Sequence, residues 1–289
     1  MSEEQTIARE FSLEGQGLHS GASSRVTLRP APAGHGVVFV RTGSTPPARI
    51  PARVECVAST RNATTLASGG ADVSTVEHLL AALWVAGIDD VEIDVEGPEV
   101  PVLDGSAQPF ATALRKAGSR SSGSPRRQWT VTREVEVRLG DCRIRAEPAD
   151  HLALSYTVDY SHPAIGRQEI ALDAISPEIF ESELAPARTF GFLSDVEALR
   201  AAGLARGASL ENTLVLDDRG ILNPDGLRFP DEFVRHKVVD LLGDLSLLGG
   251  PLCARVSVER GGHALHRALV LALREEPGAG EWTAAGSVV

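Results

Sequence analysis

The sequence predicts an α+β protein of two similar domains, each a β-sheet layer packed on helices. The chain has 289 residues, about twice the length of an average domain. Residues 117–127, AGSRSSGSPRR, have the Gly, Ser and Pro content of a linker and lack apolar periodicity. On each side of this segment, strand-like stretches precede an apolar helix, a glycine and an alternating strand. This weak internal duplication favours two copies of one layered unit.

The first domain is predicted over residues 1–116. Residues 26–28 and 37–40 are strand-like and are separated by a turn that contains Pro and Gly. Residues 74–86 are apolar around nearly the whole helical circumference, which is typical of a buried helix. After a glycine, the alternation of apolar residues over 91–95 predicts a strand.

The second domain is predicted over residues 128–289. Its helix is expected over residues 231–248, and a segment at about 189–222 is expected as an insertion, with a short helix and a strand of its own. The strands are expected at residues 131–139, 142–146, 152–158 and 254–258.

Composition excludes several classes of protein. The net charge of −11 argues against nucleic-acid binding, which needs a basic surface. The three cysteines lie far apart, which favours a reducing compartment and argues against a disulfide framework. The first ten residues lack the features of a signal peptide, and the longest apolar run is about half a membrane span. We therefore expect a cytoplasmic protein with no transmembrane segment.

Two titratable residues stand in the apolar helix of the first domain. Glu77 has two explanations: it completes a capping box with Ser74, or it serves a function. His78 has no part in capping, and a buried polar side chain needs a partner or a metal.

The helix of the second domain carries a polar stripe. His236, Asp240 and Asp244 are spaced i, i+4, i+8 and therefore share one face. One interpretation is a surface helix with its polar face in water. The other is a two-ligand metal clip of His236 and Asp240, with His78 as the natural third ligand. Two His and one Asp leave a fourth position for water, which is the pattern of a catalytic zinc site.

Two further positions carry side chains of catalytic type. His263 follows two glycines, so it is either a turn histidine or a group held close to another one. Asp244 is a candidate to orient it, because carboxylates often fix the tautomer of a histidine. Thr189 places a hydroxyl in the apolar segment ARTFGF.

Taken together, these segments resemble the UDP-3-O-acyl-N-acetylglucosamine deacetylases, the zinc amidases of lipid A biosynthesis. The matching motifs are GQGLHSG (15–21), TLRPAPA (27–33), STVEHLLAAL (74–83), GPEVPVLDGSAQPF (97–110), YTVDYSHPAIG (156–166), ARTFGF (187–192), NPDGLRFPDEFVRHKVVDLLGDL (223–245) and GHAL (262–265). They occur in the expected order over nearly the whole chain. The resemblance implies two α/β domains with the active site between them.

The resemblance also implies a role for each candidate residue. His78, His236 and Asp240 would bind Zn²⁺, with Glu77 as the general base. His263, oriented by Asp244, would be the general acid or a cationic partner, and Lys237 and Thr189 would stabilise the oxyanion. These residue types suit amide hydrolysis, because zinc lowers the pKa of its water from about 15.7 toward about 7.

The implied substrate is an acylated UDP-amino sugar. We expect Arg260 to bind its diphosphate, Tyr160 to stack on uracil, and Phe190, Phe192 and Leu199 to line a passage for the acyl chain. The chain departs from the family at Ala63, where Cys is frequent, and within the insertion. Two alternatives stay open: a zinc hydrolase for another acylated amino sugar, and a non-catalytic binding protein. We expect a monomer.

Overall fold

The structure, a computed structural model, describes residues 2–43 and 46–286. The first half contains, in order, β1 (Glu3–Ile7), β2 (Phe11–Gln16), β3 (Ser23–Pro30), β4 (Val37–Arg41), β5 (Ala48–Pro51), β6 (Val57–Ser59), β7 (Thr65–Ser68), β8 (Ala71–Val73), α1 (Glu77–Val85), β9 (Val91–Glu96), α2 (Gln108–Ala117) and β10 (Ser119–Pro125). The second half contains β11 (Arg127–Val131), β12 (Val135–Leu139), β13 (Cys142–Glu147), β14 (Ala153–Asp159), β15 (Arg167–Leu172), α3 (Pro177–Ile179), a π-helical turn (Phe180–Leu184), β16 (Phe190–Phe192), α4 (Val196–Ala201), β17 (Leu214–Asp217), β18 (Gly220–Ile221), α5 (Glu232–Ser246), β19 (Leu252–Cys253), β20 (Arg255–Glu259), α6 (His263–Glu275) and β21 (Gly280–Ala284).

The two halves contain five-stranded sheets of the same topology. The strand order is β2-β3-β9-β4-β5 in the first and β12-β13-β20-β14-β15 in the second. In both sheets the one parallel pair joins the third and fourth positions, β9 with β4 and β20 with β14, and the other pairs are antiparallel. The predicted α+β architecture of two similar domains is therefore confirmed.

Each half also has a small sheet at the same point of its chain. The sheet of β6, β7 and β8 lies between β5 and α1, and the sheet of β16, β17 and β18 lies between β15 and α5. The segment expected as an insertion at 189–222 contains the second of these sheets, and its counterpart in the first half was not predicted.

The segment between the halves is more regular than its composition suggests. Residues 119–125 form β10, which pairs with β1, so this segment is an ordered strand, although its boundaries as a linker stay a prediction. The strand expected over residues 131–139 is wrong in extent, because β11 and β12 are separate strands of different sheets. Gln128 to Thr130 pair with β21, whereas Val135 to Leu139 pair with β13.

Helices α1 and α5 pack side by side and join the two halves. Gly243 lies against the backbone of Glu77, where a Cβ atom would sit 2.1 Å from the carbonyl oxygen. At the other end, the Trp84 indole donates to the carbonyl of Gly250. The helices therefore run in the same direction, and their buried faces belong to one apolar core shared by both halves.

A search for membrane-spanning helices in the described part of the chain finds none with the necessary length and apolar character.

Candidate metal centre and active site

Three predicted ligands meet where the first turn of α1 faces the middle of α5. His78 Nε2 lies 3.6 Å from Asp240 Oδ1, and His236 Nε2 lies 3.4 Å from the same oxygen. One ligand atom from each of the three residues falls within 4.8 Å of the others, a spacing that could hold a metal ion. The interpretation of α5 as a surface helix is wrong, because His236, Asp240 and Asp244 are each 2% exposed.

The ring of His236 is fixed by a backbone carbonyl. Its Nδ1 lies 3.1 Å from the Ala187 oxygen, and since a carbonyl only accepts, Nδ1 carries the proton. Burial lowers the pKa of His236 to about 3 despite the nearby Asp240 carboxylate, so the ring is neutral. The Nε2 lone pair therefore points toward Asp240, as a metal ligand requires.

A buried ion pair holds the segment that carries this carbonyl. The Arg188 guanidinium lies 2.9 Å from the Glu232 carboxylate, which also accepts from the Arg188 backbone N–H. Neither residue is more than 6% exposed. Glu232, in the first turn of α5, thus fixes Ala187 and Thr189 relative to the helix that carries the ligands.

Lys237 lies beside the ligands and pairs with one of them. Its Nζ donates to Asp240 Oδ2 at 2.8 Å and lies 5.5 Å from the centre of the Phe190 ring. Burial opposes a charge on Lys237, but the Asp240 carboxylate outweighs it and raises the pKa of the amine above its ordinary value. Burial likewise opposes the Asp240 charge, but the Lys237 ammonium outweighs it and holds the pKa of that carboxyl well below its ordinary value.

Glu77 is the first residue of α1, and of its two interpretations the capping box with Ser74 is wrong. The residue before the helix is Val76, with no side-chain cap, and the Ser74 hydroxyl bonds to Thr65 instead. The Glu77 carboxylate accepts from the Thr64 backbone N–H at 3.1 Å and lies 3.9 Å from His263 Nε2. Burial raises the pKa of Glu77, which makes it a stronger base.

His263 begins α6 and is oriented by Asp244, as the sequence predicts. Its Nδ1 donates to Asp244 Oδ2 at 2.8 Å. Burial would lower the pKa of His263, but Asp244 outweighs burial and raises it to about 9. Burial would raise the pKa of Asp244, whereas His263 and other donors lower it to about 2. Nδ1 is thus occupied, and Nε2 faces Glu77.

These groups open into one cavity of about 340 Å³. Eleven of the thirteen side chains selected from the sequence line it: Glu77, His78, Tyr160, Thr189, Phe190, Phe192, Leu199, His236, Lys237, Asp240 and His263. One wall is aromatic, with the Tyr160 ring 5.8 Å from Phe190 and 6.0 Å from Phe192. The cavity therefore joins a polar, metal-binding end to an apolar wall from the 189–222 segment.

The other two selected residues lie outside this lining. Asp244 is buried behind His263, as an orienting group should be. Arg260 is placed at the surface, where its guanidinium donates to the Asp141 carbonyl at 3.1 Å. Its contact with a diphosphate stays a prediction.

Sequence reasoning missed the residues that support these groups. The Thr64 hydroxyl donates to Asp244 at 2.6 Å, but no spacing in the sequence joins Thr64 to α5. Glu99 accepts from the backbone N–H groups of His19 and Ser20 and from the Thr75 hydroxyl, and thereby fixes the chain just before α1. His19 lines the cavity with a buried Nε2 that has no partner among the described residues.

Comparison with known proteins assigns the chain to a family. The chain matches the family LpxC, UDP-3-O-acyl N-acetylglycosamine deacetylase, over residues 4–275. A curated relative from Myxococcus xanthus is 49% identical over 274 residues, which cover 95% of this chain and 87% of that protein. A relative from Geotalea uraniireducens is 48% identical over 273 residues, which cover 94% of this chain and 89% of that protein. Both relatives are named UDP-3-O-acyl-N-acetylglucosamine deacetylase. The chain belongs to the LpxC family of UDP-3-O-acyl N-acetylglycosamine deacetylases.

Proposed function

We propose that this protein hydrolyses the acetamide of UDP-3-O-(3-hydroxyacyl)-N-acetylglucosamine in lipid A biosynthesis. Water adds its oxygen to the acetyl carbon, the C–N bond breaks, and acetate and the free 2-amino sugar are released. The observation that carries the proposal is the meeting of His78, His236 and Asp240 with Glu77 and His263 in one cavity. Family membership supports the choice of substrate.

The three ligands fit a divalent metal ion, which we propose to be Zn²⁺. The neutral His236 ring and the Asp240 carboxylate turn lone pairs toward each other at 3.4 Å, an arrangement that a cation stabilises. Two imidazoles and one carboxylate are a frequent ligand set of catalytic zinc. A zinc ion would supply Lewis acidity that polarises the acetamide carbonyl and makes water acidic.

Glu77 is proposed as the general base that takes the proton of the attacking water. It lies next to the ligand His78, and the Thr64 N–H holds one carboxylate oxygen. The pKa raised by burial brings the carboxylate closer to the operating pH, where proton transfer is most efficient. Such a base contributes about 10²–10⁴ in rate.

Lys237 and Thr189 are proposed to stabilise the negative charge that develops on the acetyl oxygen. Asp240 keeps Lys237 protonated, and the Thr189 backbone is held at both ends by hydrogen bonds to Gly105 and Leu214. Donors fixed in advance need no reorganisation during the reaction.

His263 is proposed as the acid that protonates the leaving amine. With Nδ1 bound to Asp244, the proton available for transfer is on Nε2. The pKa of about 9 means that the ring carries this proton at neutral pH.

The apolar wall is proposed to receive the acyl chain. Phe190, Phe192 and Leu199 provide apolar surface on one side of the cavity. Tyr160 packs against both phenylalanine rings and is proposed to stack on uracil, with Arg260 near the diphosphate.

Acetate release by metal-stripped protein, with and without one equivalent of zinc, tests the proposal. We expect turnover only with zinc, and a loss of turnover in Glu77→Gln, which keeps the shape of the side chain. Substrates that lack the acyl chain or the uridine diphosphate distinguish this reaction from hydrolysis of another acylated amino sugar through kcat/KM. Substrate binding without turnover by the zinc-loaded wild type would instead identify a binding protein.

We also propose that the enzyme works as a monomer in the cytoplasm. The three cysteines are unpaired in the structure, as a reducing compartment favours. Light scattering of the purified protein and fractionation of the source cells test the two statements.

A further inference from the structure

One buried histidine has no role in the mechanism above, although it contacts the catalytic machinery. His266 is 0% exposed, and its Nδ1 lies 2.8 Å from Asp244 Oδ2, the oxygen that also accepts from His263 Nδ1. Asp244 Oδ1 accepts from the Thr64 hydroxyl. Asp244 is therefore held by three donors, one from Thr64 and two from the first turn of α6.

The tautomer of His266 follows from its two contacts taken together. Its Nε2 lies 3.1 Å from the Tyr156 hydroxyl, and Tyr156 is 0% exposed. If Nε2 carried the only ring proton, the Nδ1 lone pair would face a carboxylate at 2.8 Å, which is repulsive. The Tyr156 hydroxyl therefore donates to Nε2, and Nδ1–H donates to Asp244. Burial raises the pKa of Tyr156 well above its ordinary value, which keeps the phenol protonated as a donor.

Gly261, the first of the two glycines before His263, leaves space for this contact. A Cβ atom at Gly261 would lie 2.9 Å from the Tyr156 hydroxyl and 2.4 Å from the side chain of Val258. Any larger residue would push Tyr156 away from His266. The glycine two residues before His263 thus also allows Tyr156 to contact His266.

We propose that His266, held by Tyr156 as the Nδ1–H tautomer, is a positioning residue for the general acid His263. This inference rests on the proposed deacetylase function. Thr64 and His266 fix the plane of the Asp244 carboxylate, and that plane determines where His263 Nε2 points. Without His266, one of three restraints on Asp244 is lost, and His263 turns away from the leaving nitrogen in part of the molecules.

The same three residues, Asp244, His263 and His266, are also spaced so that they could hold a metal ion. In the tautomers inferred above, both Nδ1 atoms carry protons directed at the carboxylate, so neither presents a lone pair to an ion bound by Asp244. The proposal therefore requires that replacing His266 leaves the zinc stoichiometry unchanged.

Two substitutions of His266 distinguish the loss of the hydrogen-bond donor from the loss of the ring itself. In His266→Asn, an amide N–H attached to Cγ takes the place of Nδ1–H and can still reach Asp244, whereas His266→Leu removes every polar atom. We expect kcat of the zinc-loaded His266→Leu enzyme to fall about 10–100-fold, the usual effect of losing such a partner, with KM nearly unchanged. We expect His266→Asn to recover most of this loss. Equal losses in the two variants, or none in His266→Leu, would overturn the proposal.

Imidazole NMR provides a readout that does not depend on turnover. In ¹⁵N-histidine protein, His263 and His266 should both show Nδ1–H resonances. The His263 resonance should persist in His266→Asn and broaden or shift in His266→Leu, and Tyr156→Phe should shift the His266 Nε2 resonance while Nδ1 stays protonated. Failure of the wild type to release acetate would count against the proposed function alone, whereas an Nε2–H tautomer of wild-type His266 would overturn this inference alone.

Discussion

The contact between α1 and α5 at Gly243 predicts that replacing this helical glycine by alanine has an unusual effect on stability. In an exposed helix interior, Gly→Ala stabilises by about 1 kcal/mol. At Gly243 the new methyl group would lie 2.1 Å from the Glu77 carbonyl oxygen and 2.8 Å from the Glu77 Cα. We therefore expect Gly243→Ala to destabilise the protein and to damage the active site.

The structure gives the size of the displacement. A carbon–oxygen contact needs about 3.3 Å, so the helices must separate by roughly 1 Å at this point. Overpacking of this kind costs about 1–3 kcal/mol, which exceeds the gain in helix propensity. The same shift separates His78 on α1 from His236 and Asp240 on α5, and a displacement of about 1 Å can cost about 10²-fold in rate.

Urea unfolding, zinc affinity and acetate release measure the three consequences. Gly220→Ala is the matched control, because a Cβ atom there meets nothing within 4 Å and should change none of them. A Gly243→Ala protein that gains stability and keeps both zinc affinity and kcat would refute the reasoning, since α1 and α5 would then not fix the metal geometry.

Three further predictions concern the ligands and their supports. Arg188→Met should lower the free energy of unfolding in urea by about 3–5 kcal/mol, because the Glu232 carboxylate is left buried without the guanidinium. The double substitution Arg188→Met/Glu232→Leu should recover much of this loss of stability. Zinc at about 100 times its Kd should raise the unfolding free energy of the stripped protein by about 2.7 kcal/mol, and His236→Ala should abolish this effect. In the metal-free protein, the stabilisation from the protonated His263 should be complete below its unfolded pKa of about 6.5 and should be lost as the pH rises through about 9. Urea unfolding of wild type and Asp244→Asn at pH 6 and pH 10 would detect this loss. A difference in unfolding free energy between the two proteins that does not change with pH would contradict the prediction.

The sequence predicts the part of the site that depends on local periodicity. His236 and Asp240 are one helical turn apart, so any helix places them together. The burial of α1 also follows from sequence, because residues 77–83 are apolar apart from Glu77 and His78, whereas the polar stripe of α5 left a surface helix open as an alternative. The resemblance supplied the roles of Lys237 and Thr189, which no local pattern indicates.

The supporting contacts could not be predicted, because they join residues far apart in the chain. Thr64 and Asp244 are separated by 180 positions, and Tyr156 and His266 by 110. A threonine before a short strand and a tyrosine within a strand are ordinary sheet residues, so only tertiary packing gives them these partners. The capping-box alternative for Glu77 fails for the same reason, because the Glu77 carboxylate accepts from the backbone N–H of Thr64 instead.

The duplicated architecture explains why the site lies where it does. α1 and α5 occupy equivalent positions in the two halves and pack in parallel, with Glu77 opposite Gly243. α1 begins at Glu77, whereas α5 begins at Glu232 and thus extends about three turns beyond the start of α1. The shorter helix leaves space above its N-terminus, and the extra turns of α5 supply His236, Lys237 and Asp240 to that space. A difference in length between two copies of one element therefore makes room for the cavity, and the longer copy lines it with three charged or titratable side chains.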